Sequence, residues 1–297
     1  MSDSNFYKTR VDAHQHFWAI ERGDYDWLSP KLVALYQNFL PNDLLLLLKS
    51  NNVSKTVLIQ AAETNEETNF LLGIAERTDF VAGVVGWINM SSTNSLMRLQ
   101  ELSDNHYFKG IRPMIQDIAD DNWMLKPELT PVYEALIEKD LCFDALVKPQ
   151  HLEALHTLLQ RHPKLKVVID HGAKPNIANN SFKEWGTLIS QLAKSTSAYC
   201  KLSGLTTEAG ENADSETLIP YIDHLVSNFG PDRIMWGSDW PVVNMSSSYD
   251  NWLRVCDRYL STLEQSAQTA IWSKTAETFY RLKDPIQPQN NSIGSAQ

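Results

Sequence analysis

Two histidines separated by a single residue are the first feature of this sequence that could support catalysis. His14 and His16 follow the short run Val-Asp-Ala near the start of the chain. In a strand, residues i and i+2 point to the same side, so both imidazoles are expected to converge on one point. Two imidazoles placed in this way form half of a transition-metal site, or an electrophilic pair that polarises a carbonyl group.

A third histidine and an aspartate follow later strand-like runs. His171 comes directly after Val-Val-Ile-Asp, and Asp239 lies between Trp236 and Trp240 in the segment Trp-Gly-Ser-Asp-Trp-Pro. Each has a plain structural alternative, since such a histidine commonly fills a core and such an aspartate commonly caps a helix. The flanking indoles are expected to desolvate Asp239 and raise its pKa, which would suit the carboxylate to proton transfer.

The elements that must position these side chains are eight short runs rich in apolar and β-branched residues. Their starts lie roughly 25 to 45 residues apart, a spacing typical of strands joined by crossover helices. Several are apolar at most positions, as expected of parallel strands covered by helices. The runs are residues 10–16, 55–60, 80–87, 108–112, 141–147, 165–170, 198–203 and 233–237.

Segments of helical periodicity lie between these runs. The clearest are residues 66–77, 130–139, 149–161, 220–229 and 251–263, the second with Thr130 predicted at its N-cap. Eight strands alternating with helices predict an α/β protein of one domain, a closed (β/α)8 TIM barrel over residues 1–283. The alternative is an open doubly wound sheet, which usually has a glycine-rich phosphate loop after its first strand, where this chain has His-Gln-His.

Two segments fall outside this pattern. Residues 284–297 are polar and without periodicity, and we predict a flexible C-terminal tail. The irregular stretch 18–41 carries aromatic residues among charges, which is typical of a loop that covers a functional site. Trp27 and Tyr25 in this stretch are candidates to stack on a substrate or close over it.

Composition narrows the class of protein. Lys and Arg number 26 against 36 Asp and Glu, a formal charge of −10, and the basic residues do not cluster, so we expect no nucleic-acid partner. The cysteines, Cys142, Cys200 and Cys256, are expected to be reduced thiols in the core. The first residues do not resemble a signal peptide, and the longest apolar stretch, residues 80–88, is too short for a membrane helix. We therefore expect a soluble cytoplasmic protein.

The candidate residues share one predicted location, because active sites of TIM barrels gather at the C-terminal ends of the strands. Arg112 ends the fourth run and is expected either to hold substrate oxygens or to form a structural ion pair in the barrel mouth. Gln60 ends the second run and is a candidate donor to a substrate hydroxyl. His151 and His156 lie on a predicted helix at i, i+5 spacing, and we assign them no role. Weaker candidates near strand ends are Gln116, Lys148, Ser203 and Trp87.

The motifs around these residues resemble the amidohydrolase superfamily. They occur in order between Val11 and Arg281, as VDAHQHFW, KGIRPMIQD, FDALVKPQHL, VIDHGAKP, CKLSGL and MWGSDWP. More narrowly, they are similar to the branch of TIM-barrel hydrolases that contains the L-fuconolactonases and 2-pyrone-4,6-dicarboxylate lactonase. The resemblance implies a TIM barrel and the hydrolysis of a lactone.

The resemblance also implies roles for single residues. His14 and His16 match the strand-one pair, His171 matches the strand-six histidine, and Asp239 matches the strand-eight aspartate that activates water. Binuclear members have a bridging Lys or Glu at strand four and a His at strand five, where this chain has Arg112 and Val-Lys, so a two-metal centre is not expected. Two possibilities stay open. One is a single divalent ion, such as zinc, on those four residues; the other is a metal-free site whose histidines polarise the carbonyl.

The function that the resemblance favours is hydrolysis of a sugar-derived aldonolactone, similar to L-fuconolactone or L-rhamnonolactone, in carbohydrate metabolism. A dicarboxylated pyrone would need several arginines for its two carboxylates, and the predicted rim has no such cluster. The alternatives are a metal-dependent decarboxylase of the same superfamily and a barrel retained only for binding. A small-molecule substrate is the one partner expected, and the oligomeric state stays open.

Overall fold

Eight parallel strands, in the order β1 to β8, form one sheet in the computed structural model, which describes residues 10–283. The sheet closes into the predicted (β/α)8 TIM barrel where the residues that follow β8 form hydrogen bonds with the end of β1. The strands are β1 Arg10–Gln15, β2 Val53–Ile59, β3 Val81–Gly86, β4 Phe108–Ile111, β5 Cys142–Ala145, β6 Lys166–Ile169, β7 Tyr199–Leu202 and β8 Ile234–Trp236.

Helices cover the outside of the barrel. They are α1 Pro41–Ser50, α2 Asn65–Ala75, α3 Ser95–Ser103, α4 Thr130–Glu138, α5 Leu152–Arg161, α6 Phe182–Ser195, α7 Leu205–Ala209, α8 Ser215–Phe229, α9 Tyr249–Leu260, α10 Gln265–Thr269 and α11 Thr275–Phe279, with a π-helical turn at Ala270–Lys274. No helix among the described residues has the length and apolar character needed to cross a membrane.

Several helix starts differ from the sequence prediction by one to five residues, and two of the differences have a clear local cause. Helix α8 begins five residues before Pro220, because the Asp214 side chain accepts a hydrogen bond from the Thr217 backbone N–H and caps an earlier start. Thr130 lies inside α4 rather than at its N-cap, because the 3₁₀ turn Pro127–Leu129 runs directly into the helix.

The barrel interior is apolar at its lower end. Side chains from the strands, among them Val11, Ala13, Val57 and Met235, pack against Phe279 and Tyr280 at the chain's end. The three cysteines are buried and free, as predicted for reduced core thiols. The predicted tail, residues 284–297, and the first nine residues of the predicted domain lie outside the described residues.

The irregular stretch 18–41 forms a loop whose two ends lie side by side. The backbones of Trp18 and Phe39 exchange two hydrogen bonds of 2.9 Å, which close the base of this loop. Within the loop, Trp27 Nε1 donates to the carbonyl oxygen of Ala61 at 2.7 Å, in the segment that follows the neighbouring strand β2. The loop is therefore held against the upper rim of the barrel.

Candidate active site

The four residues predicted to form the site meet at the C-terminal end of the barrel. His14 Nε2 and His16 Nε2 are 3.1 Å apart, and Asp239 Oδ1 lies 3.6 Å from the first and 3.4 Å from the second. His171 Nε2 lies 3.9 Å from the same carboxylate oxygen. All four side chains are buried. The three imidazoles thus surround one carboxylate, as the strand positions predict.

The closure of the barrel fixes this cluster. The His16 backbone N–H donates to the Trp240 carbonyl at 2.7 Å, and the Asp239 N–H donates to the His14 carbonyl at 2.8 Å. Gly237 makes the close approach possible, since a Cβ there would lie 2.7 Å from the Cβ of His14. The hydrogen bonds that join the end of β1 to the segment after β8 therefore also set the spacing between the histidine pair and the aspartate.

Two of the four residues have a left-handed backbone. His171 has φ 55° and Asp239 has φ 58°, values that non-glycine residues adopt uncommonly and that concentrate at functional sites. Gly204 leaves room for the His171 ring, because a Cβ at that glycine would meet His171 Nδ1 at 2.5 Å. Both residues follow strands closely, and both side chains line the cavity at the barrel mouth.

The electrostatics of Asp239 differ from the sequence prediction. Burial raises the pKa of Asp239, but the surrounding imidazoles, His171 foremost, favour the carboxylate and hold the pKa well below its usual range. The predicted upward shift is wrong because the three imidazoles outweigh the desolvation that the flanking indoles suggested. Asp239 is therefore a carboxylate at neutral pH and can accept a proton.

The histidines are neutral under the same conditions. Burial is the main reason that the pKa values of all three are lowered, that of His171 to about 4 and that of His14 well below its ordinary value. Neutral imidazoles can donate a hydrogen bond to an oxygen or offer a lone pair to a metal ion.

A cavity of about 600 Å³ opens above this cluster. Its floor includes His16, His171, Asp239 and Arg112, whereas the cavity wall does not include His14, which is fully buried. The wall also carries four carboxylates, contributed by Asp24, Asp26, Glu63 and Asp117. The cavity is large enough for one small molecule, placed directly over the carboxylate of Asp239.

Arg112 brings hydrogen-bond donors to the cavity floor. Its Nη2 lies 2.9 Å from Gln60 Oε1 and also donates to the Gln60 carbonyl, and its Nη1 lies 3.5 Å from Asp170 Oδ2. The side chain is 3% exposed, and among the described residues its Nε has no hydrogen-bond partner. The contacts use three of the five N–H groups of the guanidinium, which itself lines the cavity.

Two predicted substrate-binding residues do not line the cavity. Gln60 is fully buried, and its amide and carbonyl groups hold the backbone and guanidinium of Arg112, so it positions that arginine rather than contacting a ligand. Tyr25 is buried against Trp18, with ring centroids 6.3 Å apart. Trp27, in contrast, lines the cavity and is 39% exposed.

The weaker candidates also include residues that line the cavity and residues that do not. Gln116 lines the cavity, and Lys148 Nζ donates to the Gln116 carbonyl at 2.9 Å. Ser203 Oγ lies 2.8 Å from His171 Nδ1 and fixes that ring. Trp87 is half-buried and is not part of the cavity wall.

A buried charged cluster beneath His14 was missed by the sequence analysis. Lys201 Nζ lies 2.6 Å from Asp144 Oδ2, 3.0 Å from Asp170 Oδ1 and 3.1 Å from His14 Nδ1. All four side chains are fully buried. Burying charged groups costs free energy unless they are paired, and here Lys201 is paired with Asp144 and Asp170. The available signal was a lysine inside the apolar run Tyr-Cys-Lys-Leu.

The nitrogen and oxygen atoms of the site fit a single divalent ion. Ligand atoms around zinc at the usual bond lengths of 2.0–2.1 Å lie about 3.4 Å apart. The separations among His14 Nε2, His16 Nε2 and Asp239 Oδ1 are 3.1 to 3.6 Å. A second group of possible ligands, formed by His14, Asp170 and His171, has the Lys201 ammonium beside it.

A buried glutamate supports the segment after β2 from below. Glu67 Oε1 accepts a hydrogen bond of 2.8 Å from the Ala61 N–H, the residue whose carbonyl holds Trp27. Glu67 is fully buried, and burial raises its pKa from 4.5 to about 8. In the folded protein at neutral pH, the Glu67 side chain is therefore mostly protonated.

This shift predicts a pH dependence of stability. Between about pH 4.5 and 8 the folded protein holds a proton on Glu67 that the unfolded chain has lost. The stabilisation is complete below that range and is lost as the pH rises through it, by about 1.4 kcal/mol per pH unit. Glu67→Gln should therefore show a smaller fall in Tm from pH 5 to 8 than the unsubstituted protein. Glu66→Gln, an exposed neighbour, is the control, and equal pH slopes for all three proteins would contradict the prediction.

Comparison with known proteins finds relatives along nearly the whole chain. The amidohydrolase family model matches residues 11–282. The chain is 42% identical over 288 residues to an L-fucono-1,5-lactonase of Burkholderia ambifaria, covering 95% of this chain and 98% of that protein. It is 31% identical to an L-fucono-1,5-lactonase of Burkholderia multivorans, covering 93% and 97%. A crystal structure of a Burkholderia multivorans amidohydrolase with bound zinc is similar, with a TM-score of 0.88, 30% identity, and coverage of 93% and 100%.

Proposed function

The chain belongs to the amidohydrolase family, and we propose that it is a hydrolase that opens a sugar-derived lactone, such as L-fuconolactone or L-rhamnonolactone, to the hydroxy acid. The observation that carries the proposal is the ionised Asp239 at the floor of a small-molecule cavity that Arg112 also lines. The similarity to two L-fucono-1,5-lactonases supports this choice of substrate.

The proposed reaction uses Asp239 as the general base. The carboxylate accepts a proton from water as the water oxygen attacks the lactone carbonyl, and that proton passes to the ring oxygen when the C–O bond breaks. Negative charge develops on the carbonyl oxygen in the tetrahedral intermediate and must be met by fixed donors. His171 and Arg112 reach the cavity floor and are the residues that would supply them, whereas the ring hydrogen of neutral His16 is used on Nδ1 for the Ile59 carbonyl.

The same residues define a metal-assisted form of the reaction. His14, His16, His171 and Asp239 would hold a single divalent ion, which when bound supplies Lewis acidity toward a carbonyl or water oxygen. Arg112, which also lines the cavity, would hold a substrate oxygen in either form.

The charge of the cavity favours a neutral, hydroxyl-rich substrate. Sugar hydroxyls can donate hydrogen bonds to the wall carboxylates, of which Asp24 is paired with Arg22 at 2.7 Å. The cationic residues that line the cavity, Arg112 and Lys174, lie beside Asp170 and Glu208 at 3.5 and 3.6 Å. A dicarboxylated pyrone or an aromatic acid would therefore meet net repulsion. The charge pattern disfavours the decarboxylase alternative for the same reason.

A pH-indicator assay on a panel of lactones tests this function. We expect acid release from neutral aldonolactones, L-fucono- and L-rhamnonolactone among them, and at least about tenfold lower kcat/KM for 2-pyrone-4,6-dicarboxylate. No acid release from any neutral lactone would overturn the proposal. Repeating the assay after chelation separates the two forms of the reaction, since loss of turnover on chelation and its return with zinc assign the ion a role.

A further inference from the structure

A second cavity, of about 710 Å³, lies beside the cavity over Asp239. Gln116 and Lys174 line both cavities, so the two spaces meet along one border. The rest of the wall comes from the segments that follow β5, β6 and β7, among them Gln150, Asn176, Ser181 and Glu208. A molecule bound over Asp239 can therefore extend across the border into the second cavity.

Uncharged polar side chains give the second cavity its chemical character. Gln150 and Asn176 contribute amides and Ser181 contributes a hydroxyl, and all three residues are exposed to solvent. Amides and hydroxyls each donate and accept hydrogen bonds, as the hydroxyls of a sugar also do. The wall therefore matches a hydroxyl-rich group better than an apolar one.

The charges of this wall balance each other. The wall holds two lysines, Lys148 and Lys174, and two glutamates, Glu184 and Glu208. Lys174 Nζ lies 3.6 Å from Glu208 Oε1, and Lys148 Nζ donates to the Gln116 carbonyl at 2.9 Å. An anion would have to compete with these partners, so the second cavity favours a neutral occupant.

The border between the two cavities is held in place by the fold. The Gln116 backbone N–H donates to the Leu146 carbonyl at 3.0 Å, and the Gln116 carbonyl accepts from Lys148 Nζ. Lys174 ends a run of four left-handed residues, with φ between 50° and 62°, that begins at His171. The second cavity is thus pre-formed next to the residues over which the lactone ring would lie, which lowers the cost of ordering a ligand there.

We propose that the second cavity is a subsite for a glycosyl unit, so that the enzyme opens lactones that carry a second sugar as well as simple aldonolactones. The lactone ring would lie over Asp239, and the bond to the second sugar would cross the border beside Gln116. The reaction is the same ring opening by water, and the glycosidic bond stays intact. This inference rests on the proposed function and extends its substrates to lactones derived from disaccharides.

Lactones of glycosylated sugars test the subsite. The assay compares the preferred monosaccharide lactone of the panel with derivatives that carry one glycosyl unit at each free hydroxyl in turn, prepared by oxidation of the matching reducing disaccharides. We expect at least one derivative to keep kcat/KM within about tenfold of the parent lactone. Losses of more than about tenfold for every derivative would overturn the inference.

Two substitutions that fill the second cavity show where the added sugar binds. Gln150→Trp and Ser181→Trp introduce bulk from the segments after β5 and β6. We expect both to lower kcat/KM for the accepted derivative by at least about tenfold, mainly through KM, and to leave the parent lactone within about twofold. Gln160→Trp, exposed on α5 and outside both cavity walls, is the control and should affect neither substrate. An unchanged preference between the two substrates in both cavity variants would contradict the subsite.

The outcomes separate this inference from the proposed function. If no lactone of either kind is hydrolysed, the proposed function fails and the inference fails with it. If the parent lactone is hydrolysed and every derivative is rejected, only the inference fails. Inorganic sulfate that competes with the accepted derivative but not with the parent lactone would assign the second cavity to an anion and overturn the neutral occupant.

Discussion

Replacing Asp239 by Asn is expected to lower kcat/KM for the preferred lactone by about 10³-fold. The carboxylate is the proton acceptor at the cavity floor, and the surrounding imidazoles hold it ionised. An amide of the same shape cannot take a proton from water, so the tetrahedral intermediate has to form from an unactivated nucleophile. The loss should appear in kcat, measured by acid release at saturating lactone, since the shape of the cavity is retained.

The backbone makes asparagine the right replacement. Asp239 has φ 58°, and asparagine is among the few residues that adopt this region readily, so the substitution adds no backbone strain. Asp121→Asn is the matched control, because Asp121 Oδ1 pairs with His151 Nε2 at 3.1 Å outside the cavity wall. We expect near-normal turnover from that control. A folded Asp239→Asn protein that keeps a tenth or more of the activity would exclude Asp239 as the base.

The strands of the barrel could be predicted because a parallel strand covered on both sides consists almost entirely of apolar residues. The predicted run 80–87 differs from the strand Val81–Gly86 by one residue at each end. Helix starts were less predictable, because one capping side chain decides them. Asp214 moves the start of α8 to Ser215, although Pro220 is the more visible signal in the sequence.

The histidines and Asp239 could be predicted because each one follows a strand, and strand ends of a barrel share one rim. Lys201 and Asp144 lie inside apolar runs, and the contacts that reveal their role join residues 57 and 187 positions apart. Such pairs depend on the register of the closed sheet, which the local sequence does not encode. The pKa of Asp239 is lowered rather than raised for the same reason. The imidazoles that lower it come from the C-terminal end of β1 and from the turn after β6, which only the closed sheet brings together.

The second large effect is expected at Arg112. Arg112→Met should lower kcat/KM by about 10²-fold, because the variant has no cation at the cavity wall to stabilise the negative charge that develops on the substrate. Met matches the apolar stem of the arginine, and Asp170 keeps Lys201 as a cationic partner at 3.0 Å, so the fold should persist.

Arg112→Lys separates the charge of this residue from its geometry. Lysine restores a cation near Asp170 but cannot bond the two oxygens of Gln60 and reach the substrate at once, as the planar guanidinium can. We therefore expect kcat/KM of Arg112→Lys to exceed that of Arg112→Met by less than about tenfold, while its Tm returns to that of the unsubstituted protein. If Arg112 were only a structural ion pair of the barrel mouth, both variants would change Tm and leave kcat/KM within tenfold of the unsubstituted protein. Steady-state kinetics beside thermal unfolding of the same samples distinguishes a substrate-holding arginine from a structural one.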